Sequence, residues 1–127
     1  MRKDKTIKII EKTLSEHKAK DIQIIDVHEK TPFADFYIIC SATNIRQLDA
    51  LANAVIDELE KNKINVNHKE GRPESGWILI DAYHVIVNIF SEDERNRVSL
   101  EELLYKSLTS HNEYYVNQNI KKKELIE

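Results

Sequence analysis

Trp77-Ile78-Leu79-Ile80-Asp81-Ala82-Tyr83-His84-Val85-Ile86-Val87-Asn88-Ile89-Phe90 is the stretch on which the fold turns. Two apolar runs rich in β-branched residues flank a short connection, the pattern of a β-hairpin with strands at 77–81 and 85–90 joined by Ala82-Tyr83-His84. Side chains alternate across a strand, so each arm has two readable faces. Val85, Val87 and Ile89 share one face with Ile78 and Ile80, wholly apolar. Trp77, Leu79 and Asp81 share the other with Ile86, Asn88 and Phe90, an apolar surface carrying an amide and a carboxylate.

Working outward, Gly71 to Gly76 is a Gly/Pro/Ser loop and Val66 to Glu70 a short strand. Before them, Ile45, Leu48, Ala52, Val55 and Leu59 trace one stripe of a helix running to about Lys61, with Asn44 and Gln47 as a capping-box variant at its start. Asp35 to Ser41 reads as a strand, Phe36, Ile38 and Cys40 on one face and Tyr37, Ile39 and Ser41 on the other. Ile22 to Val27 is a further strand, separated by the turn Glu29-Lys30-Thr31-Pro32. The spacing of Ile7, Ile10 and Leu14 predicts a helix over 5–18 with Asp4 as N-cap.

Downstream, Ser91 to Val98 is charged and irregular, with a short helical turn as the other reading. Ser99 and Glu102 read as a capping box opening a helix over 99–108 with Leu100, Leu103, Leu104 and Leu108. Beyond His111 periodicity fades; Tyr114, Tyr115, Val116 and Ile120 precede Lys121-Lys122-Lys123. The expected class is α/β (α+β), a mixed five-stranded sheet with helices in the order α-β-β-α-β-β-β-α. One domain is expected over 1–112, with a tail over 113–127.

Three good helices are too few to cover both faces of such a sheet. The mixed face is therefore expected to stay partly open, with Trp77 and Tyr37 as the residue types that dominate binding energy, about 2 kcal/mol or more at a hot spot. The alternative is that the helix at 99–108, or the tail with Tyr114 and Tyr115, folds back over it. The expected partner-binding residues are Asp35, Tyr37, Trp77, Leu79, Asp81, Asn88 and Phe90.

Composition narrows the function. With 127 residues, 41% hydrophobic and 32% charged, the chain has the balance of one globular domain. A single Cys excludes an intrachain disulfide, and two Gly exclude a GxGxxG or Walker A phosphate loop. A net charge of -3 argues against broad or sequence-specific nucleic-acid binding and suits a basic protein partner. Mean hydropathy is -0.53, and no apolar stretch approaches the roughly 20 residues of a membrane helix, so no membrane association and a cytoplasmic location are expected. The amino terminus lacks the apolar run of a signal peptide.

No motif for catalysis stands out, and no catalytic, cofactor or metal site is expected. The histidines at 17, 28, 68, 84 and 111 form no helical i, i+4 pair; His68-Lys69-Glu70 matches HxE of zinc deaminases without the PCxxC partner. His84, at the hairpin turn, reads as exposed. Cys40 reads as a small core hydrophobe and Ser41 as a turn or cap serine. Asp35 and Asp81 are the carboxylates placed to approach across the sheet, and Glu92-Asp93-Glu94 reads as an acidic rim.

Taken together, Ala34-Asp35-Phe36-Tyr37-Ile38-Ile39-Cys40-Ser41-Ala42-Thr43, Glu70-Gly71, Gly76-Trp77-Ile78-Leu79-Ile80-Asp81, Val85-Ile86-Val87-Asn88-Ile89-Phe90, Arg95 and Ser99-Leu100-Glu101-Glu102-Leu103 resemble the ribosomal silencing factor, or Iojap-related, family over roughly residues 5 to 108. The resemblance implies a nucleotidyltransferase-like domain without catalysis. It implies binding to the large ribosomal subunit through its fourteenth ribosomal protein at the intersubunit face, and repression of translation by blocking subunit joining. Asn88 stands where the family pattern usually has His, Val98 where it has Tyr, Leu104 where it has Trp, and Tyr83-His84 replaces a Gly-Asp type turn. Two other functions compete: a metal-dependent nucleotidyltransferase-like enzyme using a carboxylate pair, and a homo-oligomeric module, such as a homodimer, using the same face on itself.

Overall fold

The hairpin forms with the faces read above. β4 (Trp77–Ala82) pairs antiparallel with β5 (Val85–Ser91), Trp77 opposite Phe90 and Ala82 opposite Val85. β5 in turn lies parallel to β2 (Phe36–Ala42), with Tyr37 beside Ile86 and Ile39 beside Asn88. β1 (Lys20–Asp26) and the three-residue β3 (His68–Glu70) complete the edges, giving the five-stranded order β1-β2-β5-β4-β3. The computed structural model describes residues 2–109, with side chains over 5–104. The tail at 113–127, with Tyr114 and Tyr115, lies outside the described residues.

One face is the main core. Ile38, Cys40, Ile78, Ile80, Val85, Val87 and Ile89 are fully buried against Ile10 and Leu14 of α1 (Arg2–Glu16) and Leu48, Leu51, Val55 and Leu59 of α2 (Ile45–Lys61). Two helices side by side on one face of a sheet bury each apolar stripe, which is what the periodicity required. Asn44 caps α2, its Oδ1 accepting from the Gln47 N–H at 2.8 Å. Gln47 does not complete a reciprocal box: its Oε1 accepts from the Thr43 N–H and hydroxyl, and its Nε2 donates to the His17 and Lys18 carbonyls, tying α2 to the end of α1. α1 begins before Asp4, so Asp4 is inside the helix and is not its N-cap.

Two expectations about the segment after β5 are corrected. Ser91 to Val98 is not irregular: the helical alternative holds, and Glu92–Val98 is a seven-residue helix, α3. Ser91 Oγ accepts from the Glu94 N–H at 3.1 Å, and Glu92, Asp93 and Glu94 sit in the first turn, where the helix dipole favours acids. Ser99 is not an N-cap either. It holds a left-handed φ of 52° as the C-cap of α3, and its hydroxyl donates to the Asn96 carbonyl at 2.8 Å. That turn redirects the chain into α4 (Leu100–Thr109).

Candidate functional site

The second face holds two distinct regions: one corner is covered by the helices after β5, which is the alternative weighed above, and the rest is partly open, which is the expectation. Register places Ile25, Tyr37, Ile86, Asp81 and His68 in one row across the strands and Gln23, Ile39, Asn88, Leu79 and Glu70 in the next. Toward β1 and the far end of β5, Ile25, Val27, Ile39 and Phe90 are buried in a cluster with Val98, Leu100 and Leu104. The last two helices therefore cover this corner with the chain's own side chains. Phe90 is 0% exposed and Asn88 1% exposed, so neither presents side-chain surface to the outside. Toward β4, Tyr37, Trp77, Leu79, Asp81 and Ile86 stay partly exposed, and Asp35 lies beside them ahead of β2.

Trp77 is held in one orientation. Its ring sits 4.8 Å from Phe90, tilted 34°, and its Nε1–H donates to Asn88 Oδ1 at 3.0 Å. Asn88 Nδ2 has no hydrogen-bond partner, although it is buried. Asn88 and Phe90, buried cross-strand neighbours on the same face, thus fix the ring of the partly exposed Trp77. Burial and the Asp81 charge both push the Tyr37 hydroxyl above its ordinary pKa, so Tyr37 presents a neutral hydroxyl.

Asp81 is tied into the local backbone. Its Oδ1 accepts from the Tyr83 N–H at 2.9 Å and its Oδ2 from Asn67 Nδ2 at 3.1 Å, with His68 Nδ1 at 3.6 Å. The Asp81 side chain keeps 20% of its surface exposed, enough to present charge at the rim. Asp35 and Asp81 do not sit in one row of the sheet, since Asp81 aligns with Ile86 and Asp35 precedes the Phe36–Val85 pair. No group of three or more His, Cys, Asp or Glu among the described residues is arranged to hold a metal. Cys40 is buried, and that burial pushes its thiol up to about 12, away from thiolate reactivity.

Sequence reading missed two features. Arg95, with a side chain only 11% exposed, donates through Nε to Glu101 Oε1 at 3.0 Å and through Nη1 to Ser41 Oγ at 2.8 Å; Nη2 completes the fork on Glu101. This pair straddles the Ser99 turn and joins α4 to α3 and the sheet, so Ser41 is a buried acceptor rather than a cap. A polar cleft of about 670 Å³ beside it is lined by Asp21, Glu92, Glu101 and Glu102 against Arg95, a charge balance that repels a nucleotide's phosphates. The other feature is His84, expected to be exposed. It is partly buried, and its carbonyl accepts from the Asp35 and Phe36 N–H groups at 2.8 and 3.0 Å.

Comparison with known proteins adds to this geometry. The family model described as "Ribosomal silencing factor during starvation" matches residues 1–125. The chain is 32% identical over 103 residues to the ribosomal silencing factor RsfS of Bacillus subtilis, covering 81% of this chain and 87% of that protein. It is 35% identical over 91 residues to the chloroplastic protein Iojap of Zea mays, covering 72% of this chain and 40% of that longer protein. A crystal structure of a Chromobacterium violaceum protein superposes with a TM-score of 0.78 at 27% identity, covering 80% of this chain and 85% of that one.

Proposed function

The chain belongs to the ribosomal silencing factor family, and from that premise we propose that it represses translation by docking on the large ribosomal subunit and blocking subunit joining. The docking element is the partly exposed region of the second sheet face: Trp77 as anchor, Tyr37 and Leu79 around it, Asp35 and Asp81 as acidic rim. The partner is a basic ribosomal protein of the intersubunit face, the fourteenth of the large subunit in the family resemblance. The single observation that supports this reading is the held Trp77 ring. An aromatic side chain already fixed by Phe90 and Asn88 and still partly exposed loses little conformational freedom on binding, the condition of a strong anchor. Blocking by this route needs no bond-making step, because a bound domain of 14.9 kDa excludes the other subunit by its volume. The protein is accordingly regulatory, and its potency follows occupancy.

The test is co-sedimentation of the full chain with purified large subunits, alongside a subunit-joining assay. The unsubstituted chain should pellet with large subunits and reduce joining. Trp77→Ala should weaken binding by about 30-fold, the equivalent of a 2 kcal/mol hot spot. Asp81→Asn keeps an oxygen to accept from the Tyr83 N–H and should slow association and flatten its salt dependence. An unsubstituted chain that stays in the supernatant, or a folded Trp77→Ala variant that binds normally, refutes the reading.

A further inference from the structure

Tyr83 occupies a backbone conformation that its own side chain opposes. The β4–β5 loop has two residues, Tyr83 and His84, closed by the Ala82–Val85 pair. Positive φ falls on the first of them, at 68°, and not on the second. A two-residue hairpin turn of that kind is the one in which Gly normally holds the first position, and a bulky residue there is strained. Burial does not offset the strain, because Tyr83 is 54% exposed. The ring contributes little to the fold and yet displaces the residue that the turn prefers. Such an outlier points to a role outside folding.

A second aromatic stands on the adjoining loop. Phe33 is 81% exposed, the highest value among the exposed large hydrophobic residues described. Its loop is fastened to the hairpin turn through the Asp35 and Phe36 N–H groups, which both donate to the His84 carbonyl. The Phe33 N–H itself donates to Thr31 Oγ1 at 3.1 Å, and Asp81 Oδ1 pins the Tyr83 N–H. Both rings are thus carried on tied backbone at one end of the sheet, next to the row that holds Tyr37 and Asp81. Asp26, Glu29, Asp35 and Asp81 lie in these segments against Lys30 as the one Lys or Arg. Aromatic faces beside carboxylates match a guanidinium, which stacks on a ring and donates to a carboxylate.

We propose that Phe33 and Tyr83 form a second contact with the basic partner of the docking face, a tip that receives an arginine side chain of that protein. The proposal rests on the docking function set out above and extends its surface to the loop end of the sheet. The experiment measures thermal stability and large-subunit binding of the full chain carrying Tyr83→Gly, Phe33→Ser, both together, or Tyr83→Phe. Tyr83→Gly should leave the melting temperature unchanged or raised, since Gly fits the turn, while binding weakens about tenfold. The double variant should weaken binding by about 30-fold or more, and Tyr83→Phe should bind within twofold of the unsubstituted chain. A folded double variant that binds within twofold overturns the proposal, and so does a Tyr83→Gly variant that melts well below the unsubstituted chain. Trp77→Ala separates the two ideas: if it abolishes binding and the double variant does not weaken it, the docking reading stands and the tip fails. If the unsubstituted chain does not bind, both fail.

Discussion

Replacing Asn88 with Leu perturbs two properties in opposite directions. The side chain is 1% exposed, its Oδ1 takes the Trp77 Nε1–H, and its Nδ2 meets no acceptor. A buried donor without a partner costs about 1–3 kcal/mol, and the bond that Oδ1 makes contributes about 0.5–1.5 kcal/mol net. Leu has a similar volume and sits in the row of Ile39 and Leu79. Trp77 is partly exposed, so its freed Nε1–H turns to water, and the balance favours Leu by about 1 kcal/mol, a rise of about 3–5 °C in Tm for a domain of this size. Trp77 meanwhile loses the bond that orients it, leaving only its stack on Phe90. The chain has a single Trp, so its fluorescence reports this ring alone. Asn88→Leu should melt higher, show lower Trp anisotropy and faster acrylamide quenching, and bind large subunits more weakly. A lower Tm together with unchanged quenching refutes the argument that Asn88 serves the orientation of Trp77 at a cost to stability.

Other outcomes follow from the same contacts. Arg95→Met strands the Glu101 carboxylate and the buried Ser41 hydroxyl; chemical denaturation should show a loss of about 2–4 kcal/mol, and a loss below about 1 kcal/mol contradicts the anchoring role. Gly71→Ala should destabilise by more than about 1 kcal/mol in the same assay, because Gly71 holds φ 93° and an added Cβ meets the Trp77 carbonyl oxygen at 2.2 Å. Folded Cys40 keeps its proton up to about 12, whereas the thiol of an unfolded chain ionises near about 8.5. The unfolded state then binds fewer protons, so this group's contribution to stability falls as pH rises from about 8.5 toward 12. Stability measured against pH should show that slope in the unsubstituted chain and less of it in Cys40→Ala.

Strands and the two long helices were legible because their signal is local. The alternation in Val85 to Phe90 and the stripe from Leu48 to Leu59 need only period 2 and period 3.6 to be read. The segment at 91–99 was harder. Its helix comes from a serine cap and a run of acids rather than from an apolar stripe, and Ser99 serves as the end of α3 although its spacing to Glu102 imitates a beginning. Of the expected contact residues, Asp35, Tyr37, Trp77, Leu79 and Asp81 keep some exposed surface, while Asn88 and Phe90 are buried on the same face.

Side-chain alternation by itself determined which residues share a face of the sheet, since that follows from the pleat of each strand alone. Which part of the second face stays open was decided only in three dimensions. The left-handed turn at Ser99 and the fork of Arg95 on Glu101 bring Val98, Leu100 and Leu104 into the cluster that buries Phe90, while Trp77, packed at its edge, stays partly exposed. A covering element is set by where the chain travels after the strands end, and a six-residue separation between two charged side chains carries no periodic signal of that path.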